Sequence, residues 1–161
     1  MMNERGIITN IEERLQELNI QLPNLPANNQ PFNAGVILGN TVILSGQTPK
    51  VDGSQKYTGI VGTSEVSMEE AQDAAEICTL NLLAALKDII GDLNKVTRII
   101  KMNGYVASTS DFKEHSKVIN AASNLLNDIF GEENKHARVA VGMSSLPGGA
   151  PVEIEMIAEF E

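Results

Sequence analysis

The residues best equipped for chemistry lie in the C-terminal run HARVAVGMSSLPGGAPVEIEMIAEFE, His136 to Glu161. Arg138 comes first, because a planar guanidinium keeps its charge and can grip a carboxylate through two parallel hydrogen bonds. Fifteen residues later stands Glu153, with Glu155 two positions beyond it. A partly desolvated carboxylate within reach of a water can exchange a proton with it. The residues alone leave two readings open for Arg138: an anion site, or an ion pair with Glu153 or Glu155 that joins subunits. Nor do they choose between the two glutamates. Upstream, Ser45 has no His/Asp arrangement near it in sequence and is not read as a nucleophile, whereas Gly46 would let backbone approach a small ligand closely. His115 and His136 are the only histidines and do not fall in a metal-ligand spacing. With Cys78 as the single cysteine, no zinc site is expected.

Two elements must position these groups. From Val152 the chain alternates with period two, so Val152, Ile154, Met156, Ala158 and Phe160 point one way and Glu153, Glu155, Ile157, Glu159 and Glu161 the other. Before it, Val139, Val141 and Met143 form an apolar set, leaving Arg138, Ala140 and Gly142 opposite. If the two strands pair as a hairpin around Leu146 to Ala150 with their apolar faces together, Arg138 and the glutamates share one face.

The rest of the chain supplies the frame. Ile8, Ile11, Leu15 and Leu18 predict a short amphipathic helix over Ile7 to Leu18, capped by Thr9 or Asn10. Gln21 to Asn33 holds three of the six prolines and reads as an irregular connector. Gly35 to Leu38 and Thr41 to Ser45 predict a hairpin turning at Gly39-Asn40. Val51 to Val66 reads as a polar loop with one short strand at Tyr57. Ser67 with Glu70 forms a capping box that opens a helix running to Ile90 and stopped by Gly91. A long strand from Val96 to Ala107 follows, with Gly104 inside it. A second helix, capped by Ser110 or Asp111, turns Phe112, Ile119, Ala122, Leu126 and Ile129 inward and ends before Gly131. This order predicts an α+β fold, a single mixed sheet with two helices on one face and the short N-terminal helix added.

At 161 residues the chain fits one domain, 1–161, of which 1–30 are the N-terminal helix and Pro-rich connector. A net charge of −9 and twelve scattered Lys+Arg argue against nucleic acid as a partner. No run approaches a membrane span, the start carries no signal-peptide h-region, and one cysteine forms no internal disulfide, so the expected location is the cytoplasm, without membrane attachment.

Several motifs together resemble a known family. Ala137-Arg138, Val141, Leu146-Pro147 and Val152-Glu153-Ile154-Glu155 are similar to the signature of the RidA/YjgF proteins, the reactive-intermediate deaminases also called L-PSP endoribonucleases. Gly35-Val36, Gly39-Asn40 and Leu44-Ser45-Gly46-Gln47-Thr48-Pro49 resemble that family's "GN…SGQ.P" hairpin. The likeness runs from about Pro31 to the last residue, and the extra N-terminal helix looks like a longer branch.

The resemblance implies a chorismate-mutase-like fold, a homotrimer, and a ligand cleft at each subunit interface. It implies hydrolysis of reactive 2-enamines and 2-imines of small 2-keto acids to keto acid and ammonium, with no metal or cofactor. Arg138 then takes the role of the carboxylate-binding arginine, and Glu153, rather than Glu155, that of the glutamate handling the attacking water. Phe32, Ser45, Gly46, Tyr105, Ser116 and Asn120 are the implied ligand contacts. Departures mark the substrate as open: Phe32 replaces a common tyrosine, Ala140 a common cysteine, and Ser116 an expected asparagine, with Asn120 one turn on. A non-catalytic trimer that binds a small acid, and less favoured, a ribonuclease, are the competing readings.

Overall fold

The computed structural model describes residues 2, 4, 8 and 10–161. Ile7 and Thr9, at the expected start of the first helix, lie outside the described residues. Helix α1 covers Ile11–Glu17, with the Asn10 side chain accepting from the Glu13 backbone N–H at 3.1 Å. Ile11 and Leu15 are buried in the same core as the main helices.

Strands β1 (Gly35–Leu38) and β2 (Thr41–Gln47) form the expected hairpin about Gly39-Asn40, where Gly39 takes a φ of 61°. Beyond it, β3 (Lys50–Val51) and β4 (Ser54–Gln55) make a small separate ribbon. The short strand is therefore at 54–55, not at Tyr57. Tyr57 instead spends its hydroxyl on Asp73 of the next helix, at 2.7 Å.

Helix α2 (Met68–Ile90) begins with the full capping box: Ser67 Oγ accepts from Glu70 N–H while the Glu70 carboxylate accepts from Ser67 N–H. It ends at Gly91, whose φ of 86° suits a residue without a Cβ. After β5 (Val96–Ala107), helix α3 spans His115–Phe130. It starts later than Ser110 or Asp111 would have it, because Phe112 is held in a turn by its N–H to the Thr109 carbonyl and stacks edge-on against His115. Ile119, Ala122, Leu126 and Ile129 are fully buried as expected.

The main sheet has five strands in the order β1-β2-β7-β5-β6, with β6 at Ala137–Met143 and β7 at Val152–Phe160. The C-terminal pair is thus not a hairpin. β5 lies between its members, parallel to β6 and antiparallel to β7. A parallel neighbour needs a crossover connection, and α3 supplies it between β5 and β6. The segment after β6 then steps across the end of β5, held by Ser108 N–H to the Met143 carbonyl and Ala107 N–H to the Pro151 carbonyl. Both long helices pack on one face of this sheet, with α2 over β2 and β7 and α3 over β5 and β6.

Candidate functional site

Register assigns each candidate side chain to a face, because directly opposed residues on neighbouring strands point the same way. Met156, Met102 and Arg138 make one cross-strand row, and Ile154, Gly104 and Ala140 the next. Met156, Met102 and Ile154 are buried, so Arg138 and Ala140 point to the helix side. A Cβ at Gly104 would lie 2.6 Å from Ile119 of α3, which shows how closely that helix covers the row. Glu153, Tyr105 and Val141 form a row on the opposite face, followed by Glu155, Asn103 and Val139. The expectation that Arg138 and the glutamates share a face therefore fails. Each strand alternates as read, but β6 presents its apolar set outward, and Val139, Val141 and Met143 are 41%, 38% and 40% exposed.

Arg138 sits on the edge strand, half-buried against α3. Its Nη1 donates to Asn120 Oδ1 at 2.7 Å and to Ser123 Oγ at 3.1 Å. No carboxylate lies within ion-pair distance of it among the described residues. Within one chain, Arg138 forms no ion pair with Glu153 or Glu155 among the described residues. Burial pulls its guanidinium pKa below the ordinary value; a guanidinium nonetheless stays charged at physiological pH. Of the two α3 residues expected at the site, Asn120 touches it, while Ser116, one turn earlier, is exposed. Ser123 was not foreseen, although its i,i+3 spacing from Asn120 puts both polar groups on one stripe of the helix.

On the other face the two glutamates are treated differently. Glu155 Oε1 accepts from the Tyr105 hydroxyl at 2.6 Å and from Asn103 Nδ2 at 2.9 Å. Losing the Tyr105 proton beside that carboxylate is unfavourable, and the phenol is pushed up to about 12. Glu153 has no hydrogen-bond donor among the described residues. Burial, and secondarily the charge of Glu155, raise its carboxyl above the usual 4.5. Two carboxylates in different surroundings can divide roles. Glu155 is engaged by two donors, and Glu153 by none among the described residues.

Ser45 and Gly46 occupy the irregularity where β2 slips register against β7, between Leu44 and Gln47. Ser45 donates to the Asn33 carbonyl at 2.6 Å and so ties the connector to the strand end. Gly46 packs directly against Glu153: a Cβ there would lie 2.6 Å from Glu153 Oε1, so a larger residue would turn that carboxylate aside. Phe32, next to the tethered Asn33, is 57% exposed. Ser45, Gly46, Glu153 and Tyr105 thus gather around the helix-free face, with Phe32 next in the chain to the Asn33 that Ser45 tethers, while Arg138, Asn120 and Ser123 gather at the edge on the helix side.

The two groups are well apart. Glu153 and Arg138 are separated by two strand spacings and three residues along the strand, roughly 14 Å between backbones, and face opposite ways. The open groove of about 430 Å³ between α2 and α3 includes Asn120 among its lining residues, but neither Arg138 nor Glu153 lines it.

The described residues contain no group of three or more His, Cys, Asp or Glu arranged to hold a metal, and no helix long and apolar enough to cross a membrane. Residues 12–160 match the family described as "YjgF/chorismate_mutase-like, putative endoribonuclease". The chain is 39% identical over 151 residues to Protein TCP17 of Trypanosoma cruzi, covering 93% of this chain and 94% of that one. It is 34% identical over 141 residues to the 2-iminobutanoate/2-iminopropanoate deaminase of Salmonella typhimurium, covering 86% of this chain and 94% of that one. A crystal structure of an Agrobacterium tumefaciens protein of unknown function superposes with a TM-score of 0.83 at 47% identity, over 93% of this chain and 91% of that one. The sheet with its two covering helices, the match over nearly the whole length and these relatives agree: the chain belongs to the RidA/YjgF family, in a form that carries an additional N-terminal helix.

Proposed function

We propose that the protein is a deaminase that hydrolyses reactive 2-imines and 2-enamines of small 2-keto acids to keto acid and ammonium, in a cleft built by two copies of the chain. The observation that carries this reading is Arg138: half-buried, without a carboxylate partner among the described residues, and anchored by two neutral oxygens. A cation kept in that state is prepared for an external anion.

The second half of the chemistry rests on Glu153. An imine is already electrophilic, so the demands are to hold its carboxylate, place one water against the C=N carbon, and move protons. Glu153 takes a proton from the attacking water as the water oxygen bonds to the C=N carbon and the π pair moves to nitrogen, then returns that proton to nitrogen. When the added hydroxyl gives up its remaining proton to nitrogen, by way of the same carboxylate, C=O forms, the C–N bond breaks and ammonia leaves. Its raised carboxyl suits a group that must gain and lose a proton, and Gly46 leaves its oxygen accessible. Ser45, Tyr105 and Phe32 form the wall on the Glu153 side; Ser116 and Asn120 form it on the Arg138 side.

With the two groups on opposite faces, one small ligand can meet both only if a second copy supplies one of them. The helix-free face is suited to such association. Val36, Ile43 and Ile157 make an apolar row across it, and Val139, Val141 and Met143 extend it at the edge. A closed ring of three copies, as in the family resemblance, repeats the cleft three times. We place this trimer in the cytoplasm, where dehydratases release such imines.

The test is a coupled assay that generates 2-iminopropionate and follows its loss. Acceleration that disappears in Arg138→Ala supports the deaminase. Binding of pyruvate without acceleration would leave only a ligand-binding protein.

A further inference from the structure

The surroundings of Arg138 contain a detail that carrying a charge alone does not require. A guanidinium has five N–H donors in a fixed fork, two of them on Nη1. Both Nη1 hydrogens are committed, one to Asn120 Oδ1 and one to Ser123 Oγ. Among the described residues Nε and Nη2 have no acceptor. Those two nitrogens form the side edge of the fork, which pairs with a carboxylate through two parallel bonds. Asn120 and Ser123, one helical turn apart on α3, therefore fix which edge is offered as well as holding the charge.

Ser123 is itself held. Its Oγ lies 2.9 Å from His136 Nε2, in a hydrogen bond whose donor is set by the imidazole tautomer. Burial, and next to it the charge of Arg138, lower the His136 pKa from its ordinary value. The result is a chain of hydrogen bonds from guanidinium to hydroxyl to imidazole, in which each bond polarises the next. Asn120 offers only an amide oxygen. Ser123 is the member whose orientation is set from behind.

We propose that Ser123, backed by His136, is a positioning residue that turns the Nε/Nη2 edge of Arg138 toward the carboxylate of the ligand. This inference rests on the reading of Arg138 as the carboxylate site. It assigns to a residue that need not touch the ligand a share of its affinity.

The experiment compares wild type with Ser123→Ala, Ser123→Thr, His136→Gln and Arg138→Ala, measuring pyruvate affinity by calorimetry and KM and kcat for 2-iminopropionate. A third readout, nitrogen-15 NMR of the unliganded protein, follows rotation of the Arg138 Nη1 group. Ser123→Ala is expected to weaken pyruvate binding and raise KM about tenfold, the loss of one hydrogen bond to a charged group, with kcat within about twofold. It frees Nη1 rotation that is slow in wild type. Ser123→Thr, which keeps the hydroxyl, restores all three readouts, and His136→Gln gives a smaller change in the same direction as Ser123→Ala. Unchanged affinity and Nη1 rotation in Ser123→Ala, with Arg138→Ala abolishing binding, overturns the positioning role and leaves the carboxylate site standing. A wild type that binds pyruvate without accelerating imine loss overturns the deaminase and leaves the positioning role to be decided by affinity. A wild type that binds no small carboxylate overturns both.

Discussion

The two sides of the sheet treat charge in opposite ways. At the edge of β6, the positive Arg138 is surrounded by neutral oxygens that take two of its hydrogens and leave its charge unmatched. On the helix-free face, one carboxylate, Glu155, is satisfied by two donors, while its neighbour Glu153 has none among the described residues. In a purely structural arrangement the opposite charges would neutralise each other, because a partly buried charge without a partner is costly. Here the fold keeps them on separate faces. In the function proposed above, a second copy of the chain completes both.

The largest way to break this comparison is to remove the charge at the edge. Arg138→Ala is expected to lower kcat/KM for 2-iminopropionate by about a thousandfold, while Arg138→Lys, a point charge without the fork, recovers only part of it. Glu153→Gln is expected to lower kcat by about 10²–10⁴-fold, the usual range for a lost acid–base group, and Glu155→Gln by less than about tenfold. Equal losses for the two glutamates would remove the division of roles between them.

A mixture sharpens the comparison further. Co-expressed Arg138→Ala and Glu153→Gln chains, each inactive alone, are expected to recover about a quarter of wild-type activity if every site draws Arg138 from one copy and Glu153 from another in randomly mixed closed oligomers. No recovery would mean that both groups act from one chain or that neither acts. Val141→Asp, in the apolar patch that shares the face of Glu153, should dissociate the oligomer in sedimentation velocity, with activity lost in step.

The smallest effect is thermodynamic. Glu153 has a raised carboxyl in the folded state, so folding favours its protonated form. The stability it contributes is full below its unfolded pKa and is lost as pH rises through the folded pKa. At pH 7 the ionised side chain is thus a cost, and Glu153→Gln should raise Tm by about 1–3 °C. That gain should shrink to nothing below about pH 4. Activity should fall on the acid side through a pKa above 4.5, the ordinary value, and Glu153→Gln should abolish that limb.

How far the chain could be read in advance depended on how local the determining physics was. Helix α2 was legible at both ends because the Ser67–Glu70 box and Gly91 satisfy or stop backbone groups within a few residues of themselves. The alternation of β7 was legible for the same reason, and it put Val152, Ile154, Met156 and Ala158 in the core. The start of α3 was missed because Phe112 stacks on His115 in a preceding turn rather than entering the helix. The β6–β7 hairpin was missed because period two gives the two faces of a strand and nothing about its neighbour. Ser123 was missed because the helical stripe it shares with Asn120 gains meaning only once Arg138 lies against it.

By itself the sequence determined the elements, the family motifs and the residue types able to bind a carboxylate and move a proton, since each of these depends on contacts within a turn or on the chemistry of single side chains. Only the tertiary structure decided that β5 separates β6 from β7, that Arg138 and Glu153 therefore face apart, and that Tyr105 and Asn103 occupy Glu155 and leave Glu153 free. Strand order and register are set by the packing of segments distant in sequence, which no local pattern encodes.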